Sequence, residues 1–147
     1  MRSTSMARAY IVQALERLKH SREALATGNY PYVVRQCQEA VELLLKASLR
    51  LVGIEPPKWH DVGPVLRREA HRFPEWFRRE VPRMARISRR LRREREPAMY
   101  GDEETGTPPN ELYDKEDAEE ALRWADYVAS NVLRLYRELV GEELGSS

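Results

Sequence analysis

The residues best equipped for chemistry in this 147-residue chain are its arginines. Nine stand between positions 78 and 95: Arg78, Arg79, Arg83, Arg86, Arg89, Arg90, Arg92, Arg93 and Arg95, against two acids, Glu80 and Glu94. A guanidinium stays charged at neutral pH and presents a planar fork of donors, so the run could contact phosphates as bidentate partners. Residues 102 to 120 hold nine acids against one base, Lys115. Pairing of these two segments, within the fold or across a dimer, is the arrangement the charges favour over a standing nucleic-acid surface. The arginine run ends in Arg95-Glu96-Pro97-Ala98-Met99-Tyr100-Gly101-Asp102. There an arginine, an aromatic hydroxyl, a glycine and a carboxylate meet where the chain turns into a loop. Arginine would supply charge for a phosphate and tyrosine would stack on or hydrogen-bond a base. Tyr100 could equally anchor the loop to the core through its ring. The ligand-binding candidates are Arg95, Tyr100, Asp102, Arg92 and Arg89, with Arg95 and Tyr100 as weak candidates for catalysis.

Other chemistries find little support. His20, His60 and His71 pair with no histidine, cysteine or carboxylate at the spacing of a helical zinc site, and the chain has neither a phosphate loop nor a dinucleotide fingerprint. No metal and no cofactor is expected. His60, in KWHDV ahead of a helix, is expected to orient the chain by hydrogen bonding. The single cysteine, Cys37, lies on an apolar stripe and reads as a buried core thiol in a reducing compartment. A net charge of +1 gives no global pull toward nucleic acid or membrane. The N-terminal stretch lacks a long apolar run, which argues against a signal peptide or membrane anchor and for a cytoplasmic protein. Abundant arginine with scarce asparagine, glutamine and cysteine is compatible with a thermophile or a GC-rich genome.

The elements that would position these residues are helical. The strongest is Tyr30 to Val52, where Val33, Val34, Cys37, Ala40, Val41, Leu44, Leu45, Ser48, Leu49 and Val52 recur at spacings of three and four. Its polar edge, Arg35, Gln38, Glu42 and Lys46, is expected at a dimer interface or beside the Arg95 loop, with the interface preferred. Residues 1 to 5 read as a disordered start and Met6 to Thr27 as the first helix, stopped by Gly28. Asn29 is expected to cap the next helix, with Pro31 in its first turn. So short a connection makes an antiparallel hairpin. A shorter helix is expected from Asp61, its cap, to about His71, and another from Pro74 to about Glu96, kinked or split at Pro82. Pro97 to Tyr113 reads as a long loop. Asp114 should cap a final long helix whose Ala118, Ala121, Ala125 and Ala129 allow close packing on the second, and the tail should fray after Gly141. No segment alternates as a strand would. The fold class is all-α, an up-and-down bundle of four to five helices in one domain, residues 1–147, with an ordered core of about 6–140.

In order along the chain, GNYPYVVRQCQEAVELLLKASLRLVG, then WHDVGPVL, then an arginine helix leading into REPAMYGD, then YDKEDAEEALRWADYVASNV resembles the HEPN family. The resemblance runs from about Ala7 to Val140. It implies a helical bundle that commonly dimerises, in proteins often encoded beside a minimal nucleotidyltransferase as toxin and antitoxin modules. Many members are metal-independent ribonucleases that use an arginine, four to six residues, then a histidine. Here Arg95 fits the arginine, but after four residues comes Tyr100, and no arginine precedes any of the three histidines at that spacing. A phenol, with an ordinary pKa of about 10, is a poor acid or base at neutral pH. The resemblance therefore implies a noncatalytic HEPN protein, a homodimer, that binds a nucleotide, RNA or a nucleotidyltransferase partner near Arg95, Tyr100 and Asp102. With such a partner, Tyr100 also becomes a candidate acceptor for nucleotide transfer. The alternatives are a ribonuclease toxin in which Tyr100 replaces the histidine, and a purely structural dimeric module.

Overall fold

A computed structural model describes residues 3–59 and 61–144 of the protein. In chain order its elements are α1 (Thr4–Thr27), α2 (Tyr30–Leu51), α3 (Gly63–Arg68), a 3-10 turn (Ala70–Arg72), α4 (Glu75–Arg92), α5 (Pro97–Tyr100), α6 (Pro109–Leu112) and α7 (Lys115–Val140). Among the described residues there is no strand, only an isolated bridge between Asp102 and Thr107. The protein is an all-α bundle, as the hydrophobic periodicity indicates.

The core forms where α1, α2 and α7 meet. The chain reverses between α1 and α2 at Gly28, whose φ of 82° lies in the left-handed region that glycine enters without a Cβ penalty. Pro31 sits in the first turn of α2, where its missing N–H breaks no bond. Asn29 does not cap the helix through its side chain as expected; its N–H instead bonds the Ala24 carbonyl at 3.0 Å, completing the stop of α1. The stripe on α2 is buried from Val33 to Leu49. Each fully buried leucine there contributes on the order of 1.5–3 kcal/mol in transfer from water. Cys37 lies in this stripe, with its thiol 3.8 Å from Ser21 Oγ, and burial pushes its pKa up to about 12. On α7, Ala118, Ala121, Ala125 and Ala129 are all buried, and their small side chains let α7 lie close along α2.

Several expectations outside the core are corrected. The first helix begins at Thr4, ahead of Met6. The last helix, α7, ends at Val140, and just past it Glu142 accepts a hydrogen bond from Tyr136 at 2.6 Å and pairs with Arg8, while the rest of the tail expected to fray, residues 145–147, lies outside the described residues. Pro82 neither splits nor ends α4, which runs unbroken to Arg92. Pro82 faces solvent while Val81, Met84 and Ala85 beside it are buried, so water can satisfy the carbonyl that proline frees as packing continues underneath. The expected helix from Asp61 to His71 is α3 followed by the 3-10 turn. Asp61 is not its cap as expected: Val62 takes the cap position without a side-chain bond, and Asp61, one residue ahead, accepts from Gly63 N–H at 3.1 Å and from Ser88 Oγ at 2.9 Å, which ties the start of α3 to α4. His60 lies outside the described residues. The stretch from Pro97 to Tyr113 is not loop throughout, since α5 and α6 each form a single turn within it. Beyond it Asp114 caps α7 as expected, in a reciprocal box with Asp117 at 2.9 and 3.0 Å.

Candidate functional site

The turn that follows α4 collects most of the residues the sequence singles out. Arg92 closes α4, residues 93–96 continue as hydrogen-bonded turns, and α5 follows at once. Two contacts hold this turn from inside: Glu94 accepts a 2.7 Å hydrogen bond from the Tyr113 hydroxyl, and Ala98 is buried. Burial, helped by the Glu94 carboxylate, pushes the Tyr113 phenol well above its ordinary pKa, so it stays a donor. With Glu94 and Ala98 facing inward, Arg93 and Arg95 stand on the exposed side.

The polar edge of α2 lies against the same turn. Arg35 donates through Nε to Glu39 at 2.9 Å and through Nη1 to the carbonyl of Arg95. Glu42 accepts from Arg92 Nη1 at 2.9 Å and from Gln38 Nε2 at 3.2 Å, with Lys46 Nζ at 3.6 Å. Arg92 reaches onward through Nη2 to the carbonyl of Trp59 at 3.0 Å. Of the two places open to this edge, the single chain displays the one beside the Arg95 turn, where Arg35 and Glu42 act as its brace. Glu39 is pushed up by burial but pulled down further by hydrogen bonds from Arg17 and Arg35, so its carboxyl sits below the ordinary range and remains ionised.

A hollow of about 580 Å³ opens over this arrangement, lined by Arg35, Arg92, Arg93 and Arg95 with Glu96 and Tyr100 among its other walls. Two of the four guanidinium groups are engaged by Glu39 and Glu42. Arg93 and Arg95 have no side-chain partner among the described residues, and Tyr100 is 59% exposed. Free guanidinium forks beside an aromatic ring can take a phosphate and stack against a planar group.

The structure therefore brings Arg92, Arg95 and Tyr100 together and adds Arg35 and Arg93. It leaves out two candidates. Asp102 turns away into its own loop, where Oδ1 accepts from the N–H groups of Glu104 and Thr105 at 3.0 and 3.3 Å, and it does not line the hollow. Arg89 is exposed on α4, away from the hollow's lining. Nothing in the local sequence separates Arg93 from its neighbours, because its position depends on where α4 stops.

The charge pairing expected between the arginine helix and the acidic segment is absent within the chain. Among the described residues no ion pair joins Arg78–Arg95 to residues 102–120. Acids of that segment act locally, Asp102 in its turn and Asp114 with Asp117 in the helix cap. The arginines meet aromatic faces of α7 instead: Arg83 lies 4.2 Å over Tyr127 and Arg90 5.5 Å over Trp124. His20 is occupied on the surface of α1 between Glu16 and Glu23, at 2.9 and 3.1 Å, and His71 is exposed in the 3-10 turn. No group of three or more histidine, cysteine, aspartate or glutamate side chains among the described residues could hold a metal ion. No helix among them is long and apolar enough to cross a membrane.

Comparison with known proteins gives three results. The HEPN domain model matches residues 7–137. A protein of Methanocaldococcus jannaschii named "Putative toxin MJ1304" is 31% identical over 145 residues, covering 95% of this chain and 91% of that one. The crystal structure of TT1696 from Thermus thermophilus superposes with a TM-score of 0.70 at 25% identity, covering 90% of this chain and 97% of the other.

Proposed function

This chain belongs to the HEPN family, and we propose that it is a noncatalytic member whose arginine hollow binds the phosphate of a nucleotide or of RNA. The observation that carries this reading is the pair of unpartnered guanidinium groups, Arg93 and Arg95, beside the exposed ring of Tyr100. Two further arginines are braced behind them, so the backbone that carries the free forks is already held and a ligand has only the two side chains to order. The noncatalytic part rests on Tyr100 at the position of the ribonuclease histidine, since a phenol is a poor acid or base at neutral pH. The toxin name carried by the M. jannaschii relative supports placing the protein in a toxin-antitoxin-like module. In that setting it acts as a homodimer with a minimal nucleotidyltransferase as partner.

The test uses the purified protein in EDTA with a fluorescently labelled single-stranded RNA, read by anisotropy for binding and by gel for cleavage. Binding without cleavage, weakened about tenfold by Arg95→Ala, is the expected result. Metal-independent cleavage abolished by Arg95→Ala would establish the ribonuclease reading instead. Binding of RNA, nucleotide and a co-expressed nucleotidyltransferase that is unchanged by Arg95→Ala and Tyr100→Ala would leave only a structural module.

A further inference from the structure

The connection between α2 and α3 carries an indole that the fold does not use. Trp59 is 82% exposed, the most exposed of the large apolar side chains described. Trp76 and Trp124 are half-buried and each has a guanidinium over its ring, Arg134 at 3.9 Å and Arg90 at 5.5 Å. Trp59 has no ring partner among the described residues. A large aromatic face left in water forgoes burial worth a few kcal/mol, which makes such a residue more informative than a scattered surface leucine.

The backbone on which this ring stands is held, and held at the hollow. Arg92 Nη2 donates to the Trp59 carbonyl at 3.0 Å, and Asp61, two residues on, accepts from Ser88 Oγ at 2.9 Å. Ser88 and Arg92 are one turn apart on α4, so the chain around Trp59 is fastened to α4 at two successive turns. Arg92 itself lines the hollow with Arg93 and Arg95. The backbone that carries an exposed indole is thus fastened by the same arginine that lines the cationic hollow beside Arg93 and Arg95.

We propose that Trp59 is the stacking platform for the base of a nucleotide whose phosphate sits on Arg93 and Arg95, so that the site prefers nucleotides to bare polyphosphate. The proposal rests on the phosphate-binding reading of the hollow and adds the residue that recognises the base. Stacking on an aromatic side chain accepts any base, because every base has a π-face, so the preference extends across purine and pyrimidine nucleotides, strongest for purines.

The experiment compares ATP with tripolyphosphate, which carry similar charge and differ by the nucleoside. Binding is measured calorimetrically in EDTA for wild-type protein, Trp59→Ala, Trp59→Phe, Tyr100→Ala and Arg95→Ala, with circular dichroism confirming that each is folded. Wild type is expected to bind ATP about tenfold more tightly than tripolyphosphate. Trp59→Ala should erase that ratio while leaving tripolyphosphate binding unchanged, Trp59→Phe should keep part of it, and Arg95→Ala should weaken both ligands. An ATP preference that survives Trp59→Ala, or that only Tyr100→Ala removes, overturns the proposal. Equal binding of the two ligands by wild type overturns it too, with the hollow's affinity for phosphate intact. Binding of neither ligand removes the phosphate-binding reading and the role of Trp59 with it.

Discussion

Replacing Gly101 with alanine should loosen the loop that seats Tyr100. Gly101 has φ 74° and ψ −158°, a conformation essentially confined to glycine. A Cβ built there would lie 2.2 Å from the carbonyl oxygen of Thr107 and 3.1 Å from backbone atoms of Pro108, so the backbone itself has to move. Moving it breaks the reciprocal bonds between Asp102 and Thr107, at 2.8 and 3.0 Å. Strain of about 1–3 kcal/mol and the loss of both hydrogen bonds at about 0.5–1.5 kcal/mol each give a destabilisation of about 2–6 kcal/mol. For a chain of this size that lowers the Tm by about 4–24 °C. Hydrogen exchange should show the amides of Asp102 and Thr107 losing protection first, and ligand affinity at the hollow should fall as Tyr100 loses its fixed position. A Tm within about 1 °C of wild type, with both amides still protected, would show that the loop accepts a Cβ without the strain inferred here.

Three other outcomes rest on contacts around the hollow and in the core. Arg92→Ala removes partly buried, charge-assisted bonds to Glu42 and to the Trp59 carbonyl, and should cost about 1–2 kcal/mol, read as a Tm drop of about 2–8 °C. Cys37, buried and with its thiol pKa pushed up to about 12, should resist alkylation by iodoacetamide at pH 8 in the folded protein and react promptly in denaturant. Glu39 titrates below its ordinary 4.5 in the folded state, so its stabilisation is in place above that value and is lost as pH falls through the lower folded-state value. Glu39→Gln should accordingly flatten the acid limb of Tm against pH.

The bundle is legible in the sequence because its signals are local and repeated. The stripe from Val33 to Leu49, the alanines of α7, and Gly28 and Asp114 at helix ends each act within a few residues. Residues 97–113 defeat that kind of reading. The four-residue helices α5 and α6 are too short to show a period, and the fold of the loop depends on the pairing of Asp102 with Thr107. The site is half legible for a related reason. Arg95 and Tyr100 announce themselves by type and spacing, whereas the role of Arg35 depends on Arg95 at a separation of 60 residues, and that of Arg92 on Glu42 at 50. Such contacts are set by how α2 and α4 pack, which no local pattern encodes. Asp102 illustrates the converse, since a carboxylate next to a candidate site is occupied by its own turn.

Whether Arg93 and Arg95 form the phosphate-binding end of the hollow is decided by NMR of the arginine Nε–H groups, assigned by single Arg→Lys variants, during titration with AMP. The Arg93 and Arg95 signals are expected to shift first and saturate together, while Arg79, Arg86 and Arg89 stay in place. Shifts spread along α4 with Arg93 and Arg95 unmoved would disprove that assignment.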